Sequence, residues 1–222
     1  MHTTSVDWER DIYRTGSQLN RWPYTEVVSE FSRRRSTWVG SDAPRVLEIG
    51  FGAGNNLWFL AEAGFAVSGI EYSSTAVAHA RTRLDGLGFS ADLRVGDLKD
   101  LPFDDGSFDF VLDRGGLTQN LHSDVRGAVE HIHRVLVPNG EFLSFTLFGE
   151  EHPDRRFGTE VAPGTSDHFT DGMFRNVGLS SFFSEESLRD FFSMFASVSV
   201  SRTRIERDGT LVSEDYSLTA SK

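Results

Sequence analysis

The sequence predicts an α/β protein in which helices cover both faces of a doubly wound, mainly parallel sheet. Three observations predict this class: apolar strand-like runs alternate with helical segments, glycines separate them, and their lengths are those of βαβ units. The chain has 222 residues, of which 38% are hydrophobic and 19 are Phe, so it can bury a large core. At roughly 100–200 residues per domain, we expect a single domain over residues 1–222.

The first half of the chain contains two predicted strand–helix units. Residues 45–49 form a short apolar run, and residues 55–63 have the spacing of a helix. A strand over 65–70 and a helix over 74–84 follow, and Gly86 is expected to stop that helix. Two such units in succession favour parallel strands, because each helix returns the chain to the same end of the sheet.

The middle of the chain supplies the remaining parallel strands. Ser123 is the expected N-cap of the helix in this region, and Pro138-Asn139-Gly140 is expected to end it. The predicted elements are strands over 92–95, 108–112 and 141–147, with a helix over 123–136 between the last two.

The end of the chain changes in character. A helix over 185–193 is expected to begin after the N-cap Ser184. Two alternating segments, 195–206 and 211–219, flank Asp208-Gly209, a dipeptide that joins antiparallel strands. The parallel sheet is therefore predicted to finish in an antiparallel hairpin.

Composition excludes several classes of function. Acidic residues outnumber basic ones 33 to 22, a net charge of -11 that argues against nucleic acid as a partner. No stretch approaches the roughly 18 apolar residues of a membrane span, and the first twenty residues have no signal-peptide core. With no Cys, the chain has no disulfide, thiolate nucleophile or cysteine metal site. We expect a cytoplasmic protein without a membrane partner.

A glycine-rich turn after the first strand is the strongest motif. Gly50, Gly52 and Gly54 follow a carboxylate, Glu48, and lead into a helix whose first N–H groups are free to bind a ligand. The dinucleotide fingerprint G-x-G-x-x-G would require its last glycine at position 55, where this chain has Asn55. The turn therefore departs from that fingerprint. A carboxylate in the turn would repel a pyrophosphate but suits a cationic ligand such as S-adenosylmethionine. The alternative is a tight turn without a ligand.

Acidic residues also follow the second and third predicted strands. Glu71 comes 17 residues after Gly54 and can accept hydrogen bonds from two ribose hydroxyls. Asp97 follows the third strand, where its side chain could reach an adenine amino group. Each residue alone could be an ordinary solvated acid, but their order at the ends of successive strands predicts a nucleoside site.

These stretches resemble the class I S-adenosylmethionine-dependent methyltransferases: VLEIGFGAGNN (46–56), GIEYSSTAV (69–77), VGDLKDLPFDDGSFDFVLDRGGL (95–117) and HRVLVPNGEFL (133–143). The resemblance implies a Rossmann-like seven-stranded sheet with an antiparallel last strand, and S-adenosylmethionine as cofactor. It places Glu48 and the glycines at the methionine part, Glu71 at the ribose, and Asp97 with Leu98 at the adenine. The full set of implied cofactor-binding residues is Glu48, Gly50, Phe51, Gly52, Gly54, Asn55, Glu71, Tyr72, Asp97, Leu98 and Asp113.

A narrower resemblance comes from the N-terminal segment. Trp8-Glu9 and GSQLNRWPYTEVV (16–28), with DRGGL (113–117), look like small bacterial methyltransferases found among sugar and polysaccharide biosynthesis proteins. The resemblance implies a small-molecule methyl acceptor such as a sugar or related metabolite, with a hydroxyl slightly preferred over an amine. Trp22, Tyr24 and Phe169 are candidates for a cover over substrate or cofactor.

Two residues are candidates for a general base. Asp113 ends the fourth strand and His122 lies just beyond it, where a hydroxyl acceptor would need help with its proton. The plainer alternatives are that Asp113 pairs with Arg114 and that His122 is a surface residue at a helix end. His152 and His168 lie near acidic residues, but no ligand spacing supports a metal site, and we expect none.

Three other functions stay open at this point. The acceptor could be a protein side chain or nucleic acid, the chain could be a non-catalytic cofactor-binding subunit, or the fold could serve an NAD-dependent oxidoreductase. The oligomeric state is not predicted. The expected organisation is an N-terminal helical cap (1–40), a cofactor-binding core (44–147), a lid or substrate loop (148–178), and a helix with the terminal hairpin (179–222).

Overall fold

The computed structural model describes residues 4–40 and 42–222, and five α-helices and ten strands lie in them. The helices are α1 (Thr25–Thr37), α2 (Asn55–Glu62), α3 (Ser74–Leu87), α4 (His122–Val135) and α5 (Glu185–Phe191). The strands are β1 (Arg45–Ile49), β2 (Ala66–Glu71), β3 (Asp92–Val95), β4 (Phe108–Arg114), β5 (Leu136–Phe148), β6 (Thr159–Ala162), β7 (Thr165–Asp167), β8 (Ser180–Ser181), β9 (Ser197–Arg207) and β10 (Thr210–Ser221).

Seven of the strands form one sheet in the order β3-β2-β1-β4-β5-β10-β9. The five strands from β3 to β5 are parallel, whereas β10 pairs antiparallel with both β5 and β9. The chain reverses between β9 and β10 at Asp208-Gly209, where both residues have positive φ. The predicted doubly wound sheet with an antiparallel last strand is confirmed.

Separate apolar clusters cover the two faces of this sheet. On one face Phe31 of α1 and Leu57 of α2 pack with residues of α3 against β1, β2 and β4. On the other face Ile132 of α4 and Phe192 after α5 pack against β4, β5 and β10. The apolar spacing of the helices supplies both layers, and the carboxyl ends of the parallel strands are left as the edge for a site.

Three predicted boundaries were wrong. Helix α3 continues through Gly86 and ends where Gly88 adopts a left-handed conformation, because Gly86 points into open space and needs no special φ. Helix α4 begins at His122 without a side-chain cap, so Ser123 lies inside its first turn. Pro138-Asn139-Gly140 lies within β5, where the pairing register shifts and Asn139 has positive φ. The tripeptide therefore forms an irregularity in a strand instead of a loop before it.

The segment 148–178 is more ordered than a loop. Strands β6, β7 and β8 form a small antiparallel sheet, which we call the lid sheet. Phe169 and Phe182 are buried with two further phenylalanines in a cluster beneath it, away from the main core. Phe169 therefore packs within this cluster, and its role as a cover over substrate or cofactor stays a prediction. The function of the segment as a lid stays a prediction.

The N-terminal cap is only partly helical. A π-helical turn, Trp8–Tyr13, precedes α1, and residues 14–24 between them are irregular. Residues 1–3 of the predicted cap lie outside the described residues. Of the helices described, none has the combined length and apolarity that crossing a membrane requires.

Candidate active site

At each glycine of the turn after β1, a different neighbouring residue leaves no room for a side chain. A Cβ on Gly50 would lie 3.0 Å from the Cα of Gly116, and one on Gly54 would lie 2.7 Å from the Cβ of Ala80 in α3. A Cβ on Gly52 would instead lie 2.7 Å from the hydroxyl of Tyr13. Gly50 and Gly54 therefore serve packing within the fold, while Gly52 faces the space between the turn and the N-terminal segment.

Glu48 is a buried acid with an unsatisfied oxygen. Its Oε1 accepts a hydrogen bond of 2.7 Å from Asn56, but its Oε2 is buried without a partner. Burial, reinforced by the nearby carboxylates of Asp113 and Glu71, raises the pKa of Glu48 to about 8. An unpaired buried oxygen of this kind is costly, and a cation placed against it would offset that cost.

Glu71 fixes the glycine turn from below. Its carboxylate accepts hydrogen bonds of 2.9 Å from the backbone N–H groups of Gly52 and Ser73. The side chain is 8% exposed, and its burial raises its pKa. Tyr72, the next residue, is 66% exposed. Glu71 therefore holds the end of β2 against the turn and leaves the outer lone pairs of its oxygens for a ligand.

Tyr13 belongs to this site, although the sequence analysis did not identify it as a site residue. Its side chain is 7% exposed, its hydroxyl faces Gly52, and burial together with the charges of Glu71 and Glu48 raises its pKa. No motif marks it, because the N-terminal segment reaches the turn only through tertiary folding. Tyr13 is thus a wall of the site that sequence patterns could not reveal.

The other predicted cofactor residues have varied surroundings. Asp97 is half-buried and accepts a hydrogen bond of 3.0 Å from the backbone of Lys99, and Leu98 packs at the edge of the core. Asn55 donates to the carbonyl of Trp22 at 3.0 Å. The ring of Phe51 is buried against Gly69, so any contact that Phe51 makes with a ligand involves its backbone.

Asp113 lies at the end of β4 and is fully buried. Its Oδ2 accepts a hydrogen bond of 2.7 Å from Ser144 in β5, and its Oδ1 accepts one of 3.1 Å from the backbone of Leu117. Burial raises its pKa to about 6. Arg114 does not pair with it but with Glu26 of α1 at 2.8 Å, so the alternative of an Asp113–Arg114 pair was wrong. Asp113 ties β4 and β5 to the loop after β4.

His122 connects α4 to the lid sheet. Its Nε2 lies 2.9 Å from the carbonyl of Phe182, and its ring stacks on Phe183 with centroids 4.9 Å apart. Burial lowers its pKa. His122 is therefore half-buried and engaged, rather than an exposed residue at the helix end. Whether His122 or Asp113 acts as a base stays a prediction.

The described residues contain no group of three His, Asp or Glu side chains that could hold a metal ion. Of the two histidines considered for such a site, His152 is buried beside Phe174 and His168 is exposed.

The residues at the carboxyl ends of β1 and β2, with the turn after β1, fit a ligand that is both cationic and ribose-bearing. Glu48 presents an unpaired buried oxygen, the turn has no side chain at Gly52, and Glu71 keeps acceptor capacity at the next strand end. A sulfonium or ammonium group satisfies the first of these, and hydroxyls satisfy the last. With the strand order of the sheet, this arrangement defines a protein of the class I S-adenosylmethionine-binding fold.

Comparison with known sequences identifies the family. A family described as "Methyltransferase domain" matches residues 46–140. An uncharacterised methyltransferase of Synechocystis sp. is 30% identical over 151 residues, which are 61% of this chain and 68% of that protein. The chain belongs to the S-adenosylmethionine-dependent methyltransferases, as the motifs predicted, and their cofactor is S-adenosylmethionine.

Solved structures agree in fold. A SAM-dependent methyltransferase from Methanosarcina mazei has a TM-score of 0.70 at 20% identity and covers 90% of this chain and 98% of its own. The 1,6-didemethyltoxoflavin-N1-methyltransferase of Burkholderia thailandensis, solved with S-adenosylhomocysteine, has a TM-score of 0.66 at 18% identity over 95% and 83%. At these identities the likeness shows the fold and leaves the acceptor open.

Proposed function

We propose that this chain transfers a methyl group from S-adenosylmethionine to a small molecule held between the N-terminal cap and the lid sheet. The observation that carries the proposal is the cover over the site. Ser5 donates its backbone N–H to Asp167 of β7 at 2.9 Å, and Trp8 donates to Gln119 at 3.2 Å. A site covered from two sides favours an acceptor small enough to be enclosed.

The chain's own residues would position the reactants. The bound cofactor supplies a methyl group already activated for displacement by a nucleophile. Glu48 and Glu71 would orient it through charge and hydrogen bonds, and the cover would exclude water from the acceptor. Asp113 would act at a distance, because its hydrogen bonds to Ser144 and Leu117 set the shape of the loop that borders the site.

The acceptor atom decides whether a base is needed. A hydroxyl requires one, whereas a neutral amine does not. Each oxygen of Asp113 accepts one hydrogen bond and keeps a further lone pair, and the Nε2–H of His122 donates to the carbonyl of Phe182, which leaves Nδ1 as its basic nitrogen, so either group could take a proton. The preference for a hydroxyl, and for a sugar in particular, therefore stays a prediction that an acceptor screen has to test.

The alternatives receive less support. A protein or nucleic-acid acceptor would need the cap and lid to separate widely, and the net charge of -11 disfavours nucleic acid. A non-catalytic subunit is less favoured because a degenerate subunit often loses such acids, whereas Glu48 and Glu71 are both present at the turn. Cytoplasmic localisation also stays a prediction.

Calorimetric titration with S-adenosylhomocysteine, with NADH in parallel, tests the proposal first. We expect the former to bind with micromolar affinity and the latter not to bind. Labelled S-adenosylmethionine is then incubated with matched panels of sugars, aliphatic amines, a small basic protein and an oligonucleotide. Methylation confined to a small molecule supports the proposal, and methylation only of the protein or the oligonucleotide contradicts it.

A further inference from the structure

The N-terminal residues 4–13, which we call the strap, cross the site and are fastened at both sides. Ser5 bonds Asp167 of the lid sheet through its backbone N–H and its hydroxyl. At the other side, Glu9 reaches the first turn of α3 and contacts Ser73 and Thr75. The strap therefore joins the helix that follows Glu71 to the sheet on the far side of the site.

Glu9 makes a concentrated set of hydrogen bonds there. Its Oε2 accepts from the Ser73 hydroxyl at 2.5 Å and from the backbone of Thr75 at 3.1 Å. Its Oε1 accepts from the Thr75 hydroxyl at 2.8 Å and from Arg14 at 2.9 Å. These bonds lower the pKa of Glu9 to about 2, so it is ionised at any working pH. A carboxylate is also favoured at this position because the first N–H groups of a helix need acceptors.

The strap carries the tyrosine that faces the glycine turn. Tyr13 lies four residues after Glu9, and its buried hydroxyl occupies the space above Gly52. The charges of Glu71 and Glu48 act on this hydroxyl, so Tyr13 lies near the same two acids that the cofactor site presents. A ligand that contacts the turn at Gly52 would therefore meet the Tyr13 hydroxyl, and Tyr13 lies on the strap that Glu9 ties to α3.

We propose that Glu9 is the clasp of a gate formed by the strap, and that it controls how fast the methyl donor enters and leaves the site. The inference rests on the proposed function only in taking the methyl donor as the ligand of the glycine turn. Glu9 is in this view a positioning residue, because its hydrogen bonds go to Ser73, Thr75 and Arg14 and it acts on the turn through Tyr13.

A gate has a kinetic signature that a direct ligand contact lacks. If the clasp holds the strap closed both with and without ligand, weakening it speeds opening in both states. Association and dissociation then accelerate together and the dissociation constant changes little. Loss of a direct contact instead speeds dissociation alone and weakens binding.

Stopped-flow binding of S-adenosylhomocysteine, followed by tryptophan fluorescence, measures both rates. Trp8 lies on the strap and serves as an intrinsic probe. For Glu9→Gln we expect both rates to rise about tenfold with the dissociation constant within about threefold of wild type, the scale of one lost charged hydrogen-bond set. Thr75→Val, which removes one donor to Glu9, should shift both rates in the same direction by a smaller factor. Glu185→Gln breaks an exposed pair with Arg189 on α5 and should leave both rates unchanged.

Two results would overturn the clasp. The first is a folded Glu9→Gln variant with wild-type rates, and the second is faster dissociation with unchanged association, which would make Glu9 a ligand contact. Thermal melting of every variant establishes that it is folded, and Thr75→Val decides the matter should Glu9→Gln not fold.

Hydrogen exchange of the free chain separates this inference from the proposed function. The Thr75 amide donates to Glu9, so Glu9→Gln should accelerate its exchange in the absence of any ligand, and equal exchange would contradict the clasp. A wild-type chain that does not bind S-adenosylhomocysteine would contradict the proposed function, and the exchange of Thr75 would still decide the clasp.

Discussion

Glu48 combines the two properties that a binding carboxylate in a fold of this kind requires. It lies in β1 two residues before the first glycine of the turn, and it is 2% exposed with one oxygen unpaired. The sequence could predict its charge and its place at the strand end. The cost of its burial emerges only from tertiary packing, since Asp113 and Glu71 approach it from β4 and β2.

The raised pKa of Glu48 predicts how stability depends on pH. Between the pKa of an unfolded glutamate and about 8, the folded chain binds a proton that the unfolded chain has released. The free energy of unfolding therefore falls as pH rises through this interval and is level above it. Asp113, whose pKa is about 6, and Glu71 act with the same sign and His122 with the opposite sign, so the contribution of Glu48 is the difference between wild type and Glu48→Gln. Glu48→Gln should reduce the fall in the free energy of unfolding between pH 6 and 8 by about 1–3 kcal/mol.

Thermal melting from pH 6 to 8 checks this prediction. The wild-type melting temperature should fall by several degrees more than that of Glu48→Gln, and the exposed Glu62→Gln should follow wild type. Parallel curves for all three would contradict the raised pKa. If Glu48 is ionised in the complex, S-adenosylhomocysteine binding should also release a proton, which calorimetry detects as a heat that varies with the buffer.

Helix and strand positions show where a local pattern suffices. Residues 45–49 and 92–95 were predicted with the boundaries that the structure has, because segments of four or five residues have the length of a strand and are too short for a helix. The errors at Gly86 and at Pro138-Asn139-Gly140 share one cause. Residues that usually break an element are tolerated where the neighbouring structure supplies the hydrogen bonds and the space.

The turn after β1 joins β1 to α2, and substitutions at two of its glycines should have different effects. One should mainly lower stability, and the other should mainly weaken ligand binding. Gly54→Ala forces a Cβ against Ala80 and should cost about 2–4 kcal/mol of stability through overpacking and the positive φ. Gly52→Ala meets only the Tyr13 hydroxyl, so it should cost about 1 kcal/mol and mainly weaken S-adenosylhomocysteine binding.

Chemical denaturation and calorimetry of both variants test this separation. The double variant Gly54→Ala with Ala80→Gly removes the clash while keeping the strained φ, so it should recover part of the lost stability. The assignment fails if Gly52→Ala loses as much stability as Gly54→Ala, or if the double variant recovers nothing.

At the scale of the whole molecule, the motifs predict the main sheet, but they do not predict the lid sheet that lies beside it. The cofactor half follows from successive strand–helix units, whereas the lid sheet has three strands of two to four residues, too short for any periodic pattern. What holds it is a cluster of Phe148, Phe169, Phe174 and Phe182, residues far apart in sequence. Their joint burial could not be inferred from local spacing.

The separate cluster predicts that the lid sheet can loosen while the main sheet stays folded. Phe174 is fully buried at its centre, with ring centroids 4.8 Å from Phe148 and 5.2 Å from Phe182. Phe174→Ala should lower the free energy of unfolding of the lid sheet by about 3–5 kcal/mol. The loss should be confined to the lid sheet, because these rings pack on one another apart from the two clusters of the main sheet. Amides of β6–β8 should then exchange faster while those of β1 and β4 stay protected.

The same variant separates cofactor binding from acceptor binding. If the lid sheet encloses the acceptor, Phe174→Ala should raise the acceptor KM while the affinity for S-adenosylhomocysteine stays within about twofold of wild type. Phe192→Ala is the matched control: its ring stacks on Phe142 in the main core, so the variant should lower the stability of the whole chain. Should Phe174→Ala also accelerate exchange throughout β1 and β4, the lid sheet would belong to one cooperative unit with the main sheet. It could then move over the acceptor only together with that sheet, and enclosure of the substrate would fall to the strap alone.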